Sequence, residues 1–228
     1  MSLSNESRGR IRKVFEPIAL GLGRLGLTPN GLTLIGFGIT VIGAILLGFQ
    51  QWLIGGIVVF LGGVFDMFDG TLARATGKVG PLGAFMDSVF DRWGEAIVYI
   101  GIVAGCVIAG FEAGAILAAA AMGAAFMVSY TRAKSEGLGF TTGTGMAAIG
   151  IMPREVRLVI LSLGLILTGF FGGLAFDLDS GLLPIYGALD KGRGVLTLAL
   201  AIIALGATIT VIQRIVHVRQ QAVGSDGK

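Results

Sequence analysis

The sequence predicts an all-α integral membrane protein, with six transmembrane helices preceded by an amphipathic cytoplasmic surface helix. Three observations carry that prediction. The 228 residues are 54% hydrophobic and only 14% charged, whereas a soluble domain carries about a quarter charged residues. Mean hydropathy is +0.86, which excludes disorder, and the single cysteine, Cys106, excludes a disulfide scaffold. Apolar stretches recur along the chain, and at about 20 residues per span the length allows roughly five to seven crossings.

The surface helix comes first. Ile11, Val14, Phe15, Ile18, Leu22 and Leu25 recur at three- and four-residue steps, while Arg8, Arg12, Lys13 and Glu16 fall largely off that stripe. This is the pattern of a helix lying on a lipid leaflet; a disordered basic leader is the alternative. Thr28-Pro29-Asn30 breaks the helix. The spans follow as Leu32 to Phe49, Trp52 through Val64 into an acidic patch, Leu82 to Gly110, Ala113 to Tyr130, Leu158 to Leu174, and Leu196 to Ile215. Gly36, Gly43, Gly55 and Gly62 keep the spacing that lets membrane helices approach closely. Three regions result: a juxtamembrane helix and turn over 1–30, the six-helix domain over 31–219, and a polar tail over 220–228. Trp52 reads as an interfacial anchor, Trp93 and Cys106 as packing residues, and His217 as a solvated interfacial residue.

Charge sets the expected orientation. One side collects Arg8, Arg10, Arg12, Lys13, Arg24, Arg74, Lys78, Arg132, Lys134, Arg154, Arg157, Arg214, Arg219 and Lys228. The other has Lys191 and Arg193 against Glu112, Asp177, Asp179 and Asp190. The positive-inside rule places both termini in the cytoplasm of a cell-membrane protein. No cleavable signal peptide is expected, because the start of the chain lacks a compact apolar core followed by small residues.

The most informative segment runs from Asp66 to Asp91. Asp66, Asp69, Gly70, Ala73 and Arg74 share one helical face, and Gly83, Asp87 and Asp91 repeat every four residues on a second. A connection containing Gly77, Gly80 and Pro81 should make the two helices antiparallel neighbours, so that the four aspartates converge near the cytoplasmic surface. Carboxylates without Cys or His suit a hard divalent cation such as magnesium, manganese or calcium. Magnesium commonly pairs carboxylates with substrate phosphates, and Gly70, Ala73 and Gly83 leave room for a bulky ligand. Any single aspartate could instead cap a helix or pair with Arg74 or Arg92.

The pattern Asp66-x2-Asp69-Gly70-x2-Ala73-Arg74-x8-Gly83-x3-Asp87-x3-Asp91 resembles the complete signature of the CDP-alcohol phosphotransferases. The resemblance implies transfer of a substituted phosphate from a CDP-linked donor, CDP-diacylglycerol, to an alcohol with release of CMP. It also implies two magnesium or manganese ions on Asp66, Asp69, Asp87 and Asp91, with Asp91 as general base, and a homodimer. Donor contacts carry over to Pro29, Asn30, Gly31, Leu32, Gly70, Ala73, Arg74, Gly80 and Gly83. Position 80, usually a hydroxyl residue in the family, is glycine here.

Acceptor choice lies outside that signature. Arg132, Lys134, Arg154, Arg157 and Arg214 stand on three helix ends on the face that carries the aspartates, a set able to bind an acceptor's phosphate. Ordinary positive-inside flanking is the alternative for Lys134 or Arg157. Ser129-Tyr130-Thr131-Arg132, Arg154-x-x-Arg157 and Gln213-Arg214 resemble the family branch whose acceptor is inositol 1-phosphate, on diacyl lipid or its archaeal ether counterpart. Met152-Pro153 replaces a Glu-rich stretch there, and a Gly- and Thr-rich loop spans Gly137 to Gly150. Glycerol 3-phosphate is the other acceptor to weigh. A cation channel or transporter is the competing class, but it would spread polar groups toward both entrances. No nucleic-acid partner is expected.

Overall fold

The computed structural model describes residues 5–140, 146, 149–172 and 188–226, with only the backbone described over 5–14, 188–191 and 224–226. Asp177, Asp179, Lys228 and half of the Gly137–Gly150 loop lie outside the described residues, as do the side chains of Arg8, Arg10, Ile11, Arg12, Lys13, Val14, Asp190 and Lys191.

The described residues form seven helices: α1 (Asn5–Arg24), α2 (Pro29–Gly48), α3 (Trp52–Ala75), α4 (Pro81–Ile108), α5 (Glu112–Gly137), α6 (Arg154–Gly172) and α7 (Ala188–Asp226). Each long helix outruns its apolar window at the charged end. α3 continues past Val64 through the aspartates to Ala75, and α7 continues past Ile215 into the 220–228 stretch. Backbone hydrogen bonding is indifferent to side-chain polarity, so helix length exceeds apolar length wherever ends protrude. α2, α3, α5, α6 and the Gly192–Val223 part of α7 are each long and apolar enough to cross a membrane. α4 matches them in length but carries Asp87, Asp91, Arg92 and Glu95. The protein is therefore a multi-pass helical membrane protein.

α2 packs on both α3 and α4, α3 on α6, α6 on α7, α7 on α5 and α5 on α4, so α2 to α7 close a ring. The principal core fills it, with Leu47, Trp52, Val59, Tyr99, Ile102, Ala121, Leu165, Leu200 and Ile203 among its members. Glycines set the tightness of the α2 contacts. A Cβ on Gly43 would stand 3.0 Å from the Val59 backbone nitrogen, and one on Gly55 3.2 Å from the Gly43 carbonyl oxygen. Gly62 meets Gly36 in the same way, with its Cβ position 3.3 Å from the Gly36 oxygen. Advancing seven residues along α2, from Gly36 to Gly43, retreats seven along α3, from Gly62 to Gly55, the register of an antiparallel pair. On the α4 side, Gly101 lies against the Ala44 carbonyl and Gly105 against that of Leu47.

α1 docks on α3. Phe15, Ala19 and Leu22 face Phe68 and Leu72, with the Phe15 and Phe68 ring centroids 5.2 Å apart. Ile18 and Leu25 point outward, so the described part of the stripe expected to lie on lipid is divided between α3 and the exterior. Both tryptophans depart from their expected places. Trp52 is 1% exposed, its ring resting on Gly105, where the missing side chain leaves room. Trp93 is 60% exposed and lies edge-on to Phe90 at 6.5 Å. Cys106 is buried, as expected of a packing residue.

These contacts predict opposite outcomes for two glycine substitutions. Gly101→Ala drives a methyl into the Ala44 carbonyl and should cost about 1–3 kcal/mol by overpacking. Gly123→Ala meets nothing within 4 Å and should gain about 0.5–1 kcal/mol from helix propensity. Thermal unfolding in detergent checks both.

Candidate active site

α3 ends in a left-handed glycine stop. Gly77 has φ +67°, and the Lys78 N–H reaches back to the Ala73 carbonyl at 2.9 Å. The chain turns through Gly80 and restarts at Pro81, whose ring suits a helix's first position. The two aspartate-bearing helices are close in sequence but do not pack along one another, contrary to expectation. α2 lies against both instead, and the space between them is an open cleft.

Three carboxylates meet beside this cleft, Asp69 and Asp87 in its wall and Asp66 next to them. One oxygen from each of Asp66, Asp69 and Asp87 lies within 4.8 Å of the other two. Asp69 is buried; it accepts hydrogen bonds from the Thr33 hydroxyl of α2 and from the Gly70 N–H. Asp91 joins through a guanidinium: Arg154 Nη1 lies 3.0 Å from Asp66 Oδ2 and 2.7 Å from Asp91 Oδ1. Arg92 holds the other Asp91 oxygen at 3.0 Å. Magnesium takes oxygens at about 2.1 Å, so opposite ligands stand about 4.2 Å apart. The Asp66–Asp69–Asp87 oxygens approach that spacing, and their all-oxygen chemistry fits a hard divalent cation.

The cleft is lined by Pro29, Asn30, Gly70, Ala73, Arg74, Gly80 and Gly83, seven of the nine residues expected at the donor. Arg74 folds back along Gly70, where a Cβ would stand 3.3 Å from its Nη1. The other two lie elsewhere. Leu32 is fully buried against Ala19, Phe68 and Leu72. The Gly31 N–H is taken by the Thr28 hydroxyl, which caps α2 at 3.1 Å. Thr33 and Lys78 also line the cleft. Thr33 was legible as the residue one helical turn beyond Pro29.

The partners of the five cations sort them. Arg154 is held by the aspartates. Arg157, 1% exposed, makes two 2.8 Å hydrogen bonds to Glu95 and a third, at 3.1 Å, to the Met152 carbonyl. Glu95 continues the four-residue series of Asp87 and Asp91 by one more turn, a signal the sequence held. Arg214 is buried and donates to the Ile149 carbonyl at 3.0 Å and to that of Val128. It shares a groove with Lys134, Tyr130 and Thr131. Arg132 is exposed and pairs with Glu136, one turn along α5, at 2.9 Å. The entry to α6 is thus tethered on two sides, to α4 through Arg157 and to α7 through Arg214 and the Met152 N–H bond to the Thr210 hydroxyl at 3.0 Å.

A ring of six helices, five of them long and apolar enough to cross a membrane, with three converging carboxylates at a cleft, defines a class of membrane protein able to hold a hard divalent cation. The chain belongs to the CDP-alcohol phosphatidyltransferase family, whose model matches residues 26–170, and is therefore a transferase. It is 38% identical to an archaetidylinositol phosphate synthase of Pyrococcus horikoshii, over 68% of this chain and 77% of that one. It is 31% identical to a phosphatidylinositol phosphate synthase of Streptomyces avermitilis, over 98% and 85% respectively. Among solved structures, it resembles Mycobacterium tuberculosis phosphatidylinositol phosphate synthase with CDP-DAG bound. That match has a TM-score of 0.72 and 27% identity over 90% of this chain and 94% of the other. The same mycobacterial enzyme in complex with manganese and citrate matches with a TM-score of 0.71 and 28% identity, covering 90% and 88%.

Glu95→Gln leaves the buried Arg157 charge without its counter-charge. It should destabilise the protein by about 3–5 kcal/mol, read as a fall in the thermal midpoint.

Proposed function

We propose that this protein transfers a phosphatidyl group from CDP-diacylglycerol, or its ether-lipid counterpart, to inositol 1-phosphate, releasing CMP. The observation that carries the proposal is the cleft with seven family-signature and adjacent turn residues along its wall and three carboxylates converging beside it. The names of the relatives support inositol phosphate as acceptor, and the mycobacterial structure with CDP-DAG supports the donor.

Asp66, Asp69 and Asp87 would hold magnesium or manganese, with Asp91 reaching a second ion. When bound, the cations neutralise the donor's pyrophosphate and the charge developing on CMP. Pro29, Asn30, Gly70, Ala73, Arg74, Gly80 and Gly83 seat the cytidine diphosphate part. Asp91 Oδ1 is buried and accepts no hydrogen bond from the described residues, although Arg154 is close. That oxygen takes the proton of the acceptor hydroxyl as the hydroxyl oxygen attacks phosphorus. The new P–O bond forms, the bond to CMP breaks, and CMP leaves with the electron pair. Arg154 offers forked donors to the acceptor's phosphate beside the carboxylates. Lys134 and Arg214 make the groove between α5 and α7 positive, with Arg132 exposed on α5. Arg157 serves the same end by holding α6 through Glu95.

α4 crosses as the sixth span, since its charged residues face the cleft and the ion pairs rather than lipid. α1 keeps Ile18 and Leu25 outward for the leaflet while docked on α3. The domain division at 30 and 219 follows, as does a cytoplasmic active site with both termini on the same side.

Purified protein in detergent, given CDP-diacylglycerol, manganese or magnesium and one alcohol at a time, should release CMP with inositol 1-phosphate. Release with no acceptor overturns the reaction, and release with glycerol 3-phosphate alone overturns the acceptor. Asp91→Asn should lower kcat about 10²–10⁴-fold while CDP-diacylglycerol still binds. Loss of donor binding would instead make Asp91 chiefly a cation ligand.

A further inference from the structure

Arg154 stands where two demands on the same carboxylates meet. Its Nη1 contacts Asp66 Oδ2 at 3.0 Å and Asp91 Oδ1 at 2.7 Å. Asp66 is also one of the three carboxylates that converge within 4.8 Å. A guanidinium and a divalent cation therefore draw on the same carboxylate, and they repel each other when both are near. A cation seated on Asp66, Asp69 and Asp87 weakens the negative field that holds Arg154. Asp91 keeps a counter-charge in either case, because Arg92 binds its other oxygen at 3.0 Å.

The backbone under Arg154 has little freedom to follow a change in charge. Three residues along α6, Arg157 is fastened to Glu95 by two 2.8 Å bonds, and Met152 is fastened to Thr210. Adjustment falls to the Arg154 side chain, which is 34% exposed. It borders a pocket that it shares with Asp66, Glu95, Thr40, Gly94, Phe90 and Leu158. A guanidinium released from the carboxylates presents forked donors, the geometry that matches phosphate.

We infer that Arg154 couples the two halves of the reaction site: it competes with the divalent cation for Asp66 and Asp91, and a phosphate-bearing acceptor that engages the guanidinium tightens the cation. Linkage makes the effect reciprocal, so the cation must strengthen acceptor binding by the same factor. The identity of the acceptor rests on the proposed reaction, whereas the competition rests on the two ion pairs alone.

Manganese titration of the full-length protein in detergent, by calorimetry or by electron paramagnetic resonance of free manganese, tests this. Arg154→Gln should bind manganese more tightly than the unmodified protein, by about fivefold or more, the lower end of typical coupling. Arg154→Lys, which keeps the charge, should stay near the unmodified affinity. Inositol 1-phosphate should tighten manganese in the unmodified protein by a similar factor and leave Arg154→Gln unchanged; inorganic phosphate is the second probe. Unchanged or weaker manganese binding by Arg154→Gln overturns the inference, as does a lysine variant as tight as the glutamine one. If the unmodified protein turns over normally while these shifts are missing, the inference fails and the reaction stands. Competition for manganese without CMP release from any acceptor is the reverse outcome.

Discussion

Carboxylates packed within a few ångströms of one another repel, and the repulsion grows where the surroundings exclude water. The site gathers four at one end of an apolar bundle, and the groups around them are arranged as compensation. Asp69 takes the Thr33 hydroxyl and the Gly70 amide, Asp66 takes Arg154, and Asp91 lies between Arg154 and Arg92. The compensation comes from four helices. α2 supplies a hydroxyl, α3 an amide, and α4 and α6 a guanidinium each. No single helix could supply it, which ties the acidic motif to the closure of the ring.

Glycine contacts make that closure possible. α2 meets α3 at Gly36, Gly43, Gly55 and Gly62, and meets α4 at Gly101 and Gly105, with backbone against backbone. Helices that approach so closely gain dispersion contact along their length, the main attraction available where lipid is as apolar as leucine. One consequence is geometric. With α2 as a shared spine, α3 and α4 diverge around it, and their divergence opens the cleft.

The cations follow a different logic from the one their positions along the chain suggest. An arginine at a helix end is oriented toward water by the membrane, but its final partner is whichever acceptor the fold brings near. Arg157 and Glu95 are distant in sequence and are joined in a buried two-bond pair. Such a pair is costly to break from one side; its effect is to set the start of α6, and so the place from which Arg154 reaches the aspartates. Arg214 binds carbonyls of α5 and of the 149–152 segment, close to Gly150, which at φ +119° faces the Thr210 side chain with no room for a Cβ.

Much of the fold and of the site was legible because it is periodic along one helix at a time. Apolar runs mark helices, the spacing from Asp66 to Asp91 marks two acidic faces, and the glycine spacing on α2 and α3 marks their contact. By itself, then, the sequence determined the helical membrane class, the acidic residues that meet and most of the cleft wall. Tertiary structure alone decided which side chains those residues would face. Leu32 was drawn into the core beside α1, Trp52 went inward where Gly105 left a space, and Trp93 went outward. Four of the five basic residues were parted among aspartates, Glu95, Glu136 and backbone carbonyls. The physical reason is one of range: a helical period specifies neighbours three and four residues away, whereas a buried charge is partnered by whatever the packing of other helices places within about 3 Å.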